Sequence, residues 1–223
     1  MKASEDIFKN GMRCLRAVIL LLICAPSFLY AQEKWQQREQ EKGITVYSQK
    51  KEGSGAARLK GVLYLPFSVD DAAKVLMDIP NQINFIPFCK TIQVLQEDLI
   101  GVERKRTLIY QINAIPVVSD RDMVLEALTW SENKDAQRIW RSEFKALTDK
   151  GPPIVKGMVR IAQLKGNWTL APAPDNKGTI LTYMNHAELS GLLPHFIVDS
   201  VRIKNMVKLL KGLRQRCMTV YQK

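Results

Sequence analysis

Apolar and polar residues alternate from Ile44 to Ser48 and again from Arg58 to Leu65, the two-residue period of a half-buried strand. Leu59, Leu63 and Leu65 then share one face. Gly53-Ser54-Gly55 supplies turn chemistry between the two runs and predicts a hairpin with a long connection. After Pro66 the period changes. Val69, Ala72, Ala73, Leu76 and Met77 recur at helical spacing, behind Ser68 as N-cap and Asp71 at the capping-box position. That helix is expected to end near Asp78, before Pro80. Asn81 to Pro87 reads as a second short helical or irregular piece, with Phe85 and Phe88 exposed. Upstream, the charged run Glu33 to Lys42 has no β-branched residue and stops at Gly43, so a short N-terminal helix is expected there.

Beyond Cys89 the pattern turns to strands. Thr91 to Gln96, Glu103 to Asn113, Asp122 to Trp130, Arg138 to Leu147, Val155 to Leu170 and Thr179 to Glu188 are each bounded by turn residues. Short links between consecutive strands predict an antiparallel meander. The last stretch, Gly191 to Tyr221, opens on Leu193-Pro194 and returns to helical spacing. Leu193, Ile197, Val201, Met206, Leu209, Leu210, Leu213 and Cys217 form an apolar side, and Arg202, Lys204, Lys208, Lys211, Arg214 and Arg216 form the other. Such a helix has about 26 residues and runs nearly 40 Å. The expected fold is α+β: a curved antiparallel sheet of about eight strands wrapped around this long C-terminal helix, with room for a cavity between them.

The N-terminus is expected to lie outside that fold. Lys2, Lys9, Arg13 and Arg16 precede an apolar run from Ala17 to Ala25, and Leu29-Tyr30-Ala31 offers small-residue cleavage. This pattern predicts a signal peptide over residues 1–31, a mature domain over residues 32–223, and export to the periplasm. An uncleaved N-terminal anchor is the alternative, although the apolar run is shorter than the ~20 residues of a comfortable span.

Composition narrows the function. With 46% hydrophobic and 25% charged residues the chain is too apolar to be disordered. A net charge of +11 calls for an anionic partner to be considered. The basic residues are scattered without interleaved aromatics, which argues against nucleic acid. Of four cysteines, Cys14 and Cys24 would leave with the signal. Cys89 and Cys217 remain, either as one disulfide or as two buried thiols. His186 and His195 are the only histidines and no Cys-x-x-Cys exists, so no zinc site, other metal or cofactor is expected. No nucleophile motif is present, and the chain is not expected to be an enzyme. The competing reading is an acid–base pair of His186 and Glu188, two apart on one strand face.

Three motifs, in this order, resemble the START lipid-transfer domain. They are Pro116-Val117-Val118-Ser119-Asp120-Arg121-Asp122-Met123-Val124, then Gly166-Asn167-Trp168-Thr169-Leu170-Ala171-Pro172, then Gly191-Leu192-Leu193-Pro194 followed by Ile197-Val198-Asp199. The resemblance spans about Trp35 to Val220. It implies a helix-grip fold with a tunnel for one lipid or sterol-like molecule between sheet and last helix, in a monomer. It places Met123, Leu125, Ala127 and Trp140 in the tunnel wall, with Gln163 and Tyr183 from later strands and Met206, Leu209 and Leu213 from the helix. Arg121 and Asp122 are expected to bracket their strand. Sterol-binding members of the family carry a buried arginine where this chain has Ala127, which leaves Gln163 as the polar candidate. Loops around Asp149 to Pro153 and Leu192 to Pro194 are the expected gate. Lys204, Lys208 and Lys211 would meet an anionic membrane transiently, and lipid would be carried between membranes. Related cyclases and hydrolases supply the alternative of an enzyme using the same cavity.

Overall fold

The computed structural model describes residues 34–221, except 102, 117, 118, 136 and 189–194, and only the backbone of 195–197. The expected signal peptide and the Leu192 to Pro194 gate therefore lie outside the described residues. The order of elements is β1 (Gln36–Glu41), β2 (Ile44–Gln49), β3 (Arg58–Leu65), α1 (Val69–Met77), a 3-10 helix (Ile79–Asn84), β4 (Cys89–Ile100), β5 (Arg104–Asn113), β6 (Arg121–Lys134), β7 (Gln137–Leu147), β8 (Val159–Arg160), β9 (Gln163–Pro172), β10 (Thr179–Glu188) and α2 (His195–Tyr221).

All ten strands join one sheet, in the order β1-β2-β3-β10-β9-β7-β6-β5-β4, with β8 beside β6. Pairing is antiparallel along this path. The jump from β3 to β10 lets α1 and the 3-10 helix leave the sheet and cross its inner face. Because side chains alternate, Leu59, Gly61, Leu63 and Leu65 of β3 share the inner face with Leu181 and Tyr183 of β10. α2 packs there. Leu63, Leu65, Leu181, Leu210, Leu213 and Cys217 are at most 1% exposed in one core cluster. Gly61 lets α2 come close here, since a Cβ on it would lie 2.6 Å from Leu210 Cδ1 and 2.9 Å from Met206 Sδ and those side chains would have to shift.

Four expectations are corrected. The run Glu33 to Lys42 is not a helix: Gln36–Glu41 is an edge strand paired with β2. Lys42 and Gly43 both have positive φ, 47° and 76°, the two-residue turn that matches strand twist in a hairpin. The unpaired edge of β2 overrides the weak local preference of a charged run for helix. The stretch Val155 to Leu170 is not one strand. Val159–Arg160 pairs parallel with Arg121–Asp122, and the antiparallel strand starts at Gln163. Arg160 makes the break, because Asp122 holds it by two hydrogen bonds of 2.9 and 2.7 Å. Phe85 is not exposed but 5% accessible, packed in the core with α1 and α2. On α2, Val201 faces solvent at 44% exposure and Arg202 is buried at 8%. The inward line there runs through Val198, Arg202, Met206 and Leu209, because the Ala57 carbonyl just before β3, Asn185 of β10 and Asp199 satisfy the guanidinium.

Cys89 and Cys217 are free thiols. Burial pushes the Cys217 thiol up to about 11, so it stays protonated and inert at neutral pH. Among the described residues no helix is long and apolar enough to cross a membrane.

Candidate ligand cavity

A cavity of about 210 Å³ lies between the inner face of the sheet and the helices that cover it. Period-two alternation aims its sheet wall: Thr107, Ile109, Gln111 and Asn113 from β5, Met123, Leu125, Ala127 and Thr129 from β6, and Trp140, Ser142 and Phe144 from β7. Register keeps these residues level, with Thr107 opposite Ala127, Ala127 opposite Phe144, and Thr129 opposite Ser142. Leu164 and Trp168 of β9 and Tyr183 of β10 continue the wall. Leu76 and Met77 close one side from the end of α1, followed by Ile79, Gln82, Phe85 and Ile86. Leu209 is the contribution of α2. The α1 cap fixes this lid: Ser68 Oγ accepts from the Asp71 N–H at 3.1 Å, and Gln82 Nε2 donates to the Leu76 carbonyl at 2.7 Å.

Rings make up one end. Trp168 and Tyr183 stack with centroids 3.8 Å apart and an interplanar angle of 15°, and Phe144 lies 6.2 Å from Tyr183. Burial raises the Tyr183 phenol, which stays protonated. The polar wall groups are all uncharged. Thr129 Oγ1 and Ser142 Oγ share a hydrogen bond of 3.1 Å, and Gln111 Nε2 donates to Asn113 Oδ1 at 2.8 Å. Among the described residues no Asp, Glu, Lys, Arg or His lines the cavity.

Of the wall residues expected from sequence, Met123, Leu125, Ala127, Trp140, Tyr183 and Leu209 line this space. Gln163 does not. It pairs with Glu188 at the exposed start of β9, and Leu164, one position on, takes the inward place. Met206 and Leu213 are buried in the core against β2 and β3, not in the cavity. Thr107, Gln111, Ser142, Phe144 and Trp168 were missed by sequence reasoning. The alternation in Glu103 to Asn113 and Arg138 to Leu147, carried through in register with β6, marks most of them. The α1 and 3-10 residues had no such signal, because only tertiary packing brings them over the sheet.

Other candidates fall elsewhere. His186 and Glu188 point to the outer face of β10, opposite Tyr183 and Ala187. His186 Nε2 lies 3.4 Å from Glu188 Oε1 and 3.1 Å from Lys51 Nζ. Burial and the Lys51 charge lower the imidazole pKa, leaving it neutral at pH 7. A wider hollow of about 580 Å³ on that outer face is lined by Arg58, Glu126, Glu143, Lys145, Lys165 and His186 among others, so it is a charged surface groove. Asp122 is fully buried and holds Arg160, with Tyr110 Oη donating to it at 3.1 Å. Arg121 Nη1 donates to the Ser119 carbonyl at 2.8 Å. The Asp149 to Pro153 loop lies against the outer side of β6, where Gly151 abuts Val124 and the Pro152 carbonyl accepts from Arg160. It therefore does not cover the inner cavity.

Along α2, Lys204 and Lys208 are exposed, the latter with Nζ 5.6 Å from the Phe88 ring, and Lys211 pairs with Glu41 at 2.5 Å. Arg202 forms a clasp instead. It donates to Asp199 Oδ1 at 2.8 Å, the Ala57 carbonyl at 2.9 Å and Asn185 Oδ1 at 3.2 Å, and so ties α2 to β10 and the start of β3.

Comparison with known proteins gives this geometry a context. A family model described as START domain matches residues 27–223. An uncharacterized protein of Pseudomonas aeruginosa is 26% identical over 183 residues, which is 82% of this chain and 86% of that protein. Among solved structures, a STAR-related lipid transfer protein fragment from Xanthomonas axonopodis is 30% identical. It superposes with a TM-score of 0.68 over 82% of this chain and 98% of that chain. Human StAR-related lipid transfer protein 5 has a TM-score of 0.69 over 95% of this chain and 97% of that one, at 16% identity, a likeness of fold alone.

Proposed function

The chain belongs to the START domain family, and from that premise we propose that its interior cavity binds a lipid or another apolar small molecule, which the protein carries between membranes without changing it chemically. The observation that carries this reading is the wall itself: mostly aliphatic and aromatic, with a few neutral hydrogen-bonding groups and, among the described residues, no ionisable acid or base of the kind catalysis uses at pH 7. The similarity to a STAR-related lipid transfer protein of Xanthomonas axonopodis supports it further. The enzyme alternative rests on His186 and Glu188, and these face away from the cavity. Docking for loading falls to Lys204 and Lys208 on α2, with Lys211 partly engaged by Glu41. The leader pattern in residues 1–31 supports an exported site of action.

Native mass spectrometry of the purified mature protein, with organic extraction of what travels with it, tests this reading. One apolar molecule per chain is expected. In Ala127→Trp the added indole fills the cavity, at an overpacking cost of about 1–3 kcal/mol, and the extra mass should vanish. A folded Ala127→Trp protein that carries the same molecule at the same occupancy would show that the ligand lies elsewhere.

A further inference from the structure

We propose that the cavity selects uncharged ligands on the order of ten heavy atoms, hydrogen-bonded by the Thr129–Ser142 hydroxyl pair, and keeps charged head groups out. This rests on the cavity being the ligand chamber.

Size is the first argument. At about 210 Å³ the cavity falls below the range of ligand pockets, roughly 300–1,000 Å³. A cavity of about 150 Å³ takes a benzene ring. One short chain or a fused pair of rings therefore fits, and a two-chain lipid does not enter whole. Charge is the second. A carboxylate, phosphate or ammonium moved inside would lose its water and meet no countercharge, because the wall holds none among the described residues.

The third argument is an unspent donor. Thr129 and Ser142 are each 6% exposed and share one hydrogen bond across β6 and β7. Two hydroxyls carry two protons, and one bond uses one of them. Whichever way that bond runs, the other proton has no acceptor among the described residues and is left to donate. Both residues line the cavity, so that donor serves an alcohol, carbonyl or ether oxygen of the ligand. Ala127, Leu125 and Phe144 beside the pair present an apolar surface to the rest of the molecule.

Trp140 and Trp168 line the cavity, so tryptophan fluorescence reports its filling. The probes are decan-1-ol, undecane, decanoate and decyl phosphate, at about pH 8, where both acids are ionised. Decan-1-ol is expected to bind about fivefold more tightly than undecane, the worth of one neutral hydrogen bond. Decanoate and decyl phosphate should bind at least about 100-fold more weakly than decan-1-ol. Replacing both hydroxyls in Thr129→Val/Ser142→Ala removes the pair without stranding a partner. That variant should lose its preference for decan-1-ol over undecane. Decanoate within about tenfold of decan-1-ol would overturn the selection for neutral ligands. A double variant that still prefers decan-1-ol would overturn the role of the hydroxyl pair. If undecane binds and the rest fails, the chamber stands without its selectivity; if no probe binds, undecane included, chamber and inference fall together.

Discussion

At the scale of single residues, the most consequential pair is Asp122 with Arg160. Their side chains are 0% and 7% exposed and meet at 2.7 Å. The hydrogen bonds from Arg160 hold the Asp122 carboxyl below the ordinary aspartate range. A depressed carboxylate stabilises the fold fully above its unfolded value of ~3.9, and the benefit fades as pH falls through the lower folded value. Arg160→Ala would leave the carboxylate buried without its countercharge, and is expected to cost about 3–5 kcal/mol at neutral pH. Urea unfolding of both proteins checks this. The gap should narrow below about pH 4 as Asp122 protonates in the wild type too. A gap that is absent at pH 7, or one that widens in acid, would refute the assignment. The pair also explains why an Arg-Asp motif opens β6: Asp122 anchors the short strand β8 on the outer side while Met123 starts the cavity wall.

At the scale of elements, α2 is asymmetric. Its inward side holds Leu209, Leu210 and Leu213 in the core, and its first half is secured by the Arg202 clasp rather than by apolar contacts alone. Its outer side leaves Lys204 and Lys208 exposed. Each lysine near an anionic bilayer contributes about 1 kcal/mol within a Debye length of about 8–10 Å. Two exposed lysines amount to about a 30-fold change in affinity. Lys204→Glu/Lys208→Glu/Lys211→Glu is therefore expected to weaken binding to anionic vesicles at low salt by at least about 30-fold. Ligand capacity should be kept, since none of the three lines the cavity. Sedimentation with vesicles measures it, and raised salt should reproduce the variant in the wild type. Equal binding by both proteins would show the lysines to be solvated surface only. The edge strand β1 teaches a different lesson. Its six residues are almost wholly exposed, yet it is held in place because β2 offers unpaired backbone groups.

At the scale of the whole molecule, the proposal of export follows from the first residues and is independent of the fold. Cleavage after Ala31 would yield a mature chain beginning at Gln32. Cell fractionation with intact-mass analysis should find that species in the periplasm. The full chain retained in carbonate-washed membranes would refute it. An exported chain would meet an oxidising compartment, where Cys89 and Cys217 stand as separate thiols, one partly accessible and one buried.

What the sequence determined by itself is whatever depends on local period and punctuation. Ser68, the two acids after it and Pro80 set α1. Alternation set β2, β3, β5, β6, β7 and β10, and the family resemblance carried along those strands gave the inward direction of Met123, Leu125, Ala127 and Tyr183. The long final helix and the three motifs carried the family. Tertiary structure decided the rest. Gln36–Glu41 became a strand because a free edge was there to receive it. Gln163 turned outward and Leu164 inward because pairing with β10 fixed a register that alternation leaves open by one residue. Arg202 went inside because the Ala57 carbonyl, Asn185 and Asp199 converge on one point from distant parts of the chain. The cavity is of the same kind: its size and its uncharged wall are sums over five strands and three helices, and no local stretch of sequence encodes where such surfaces stop short of touching.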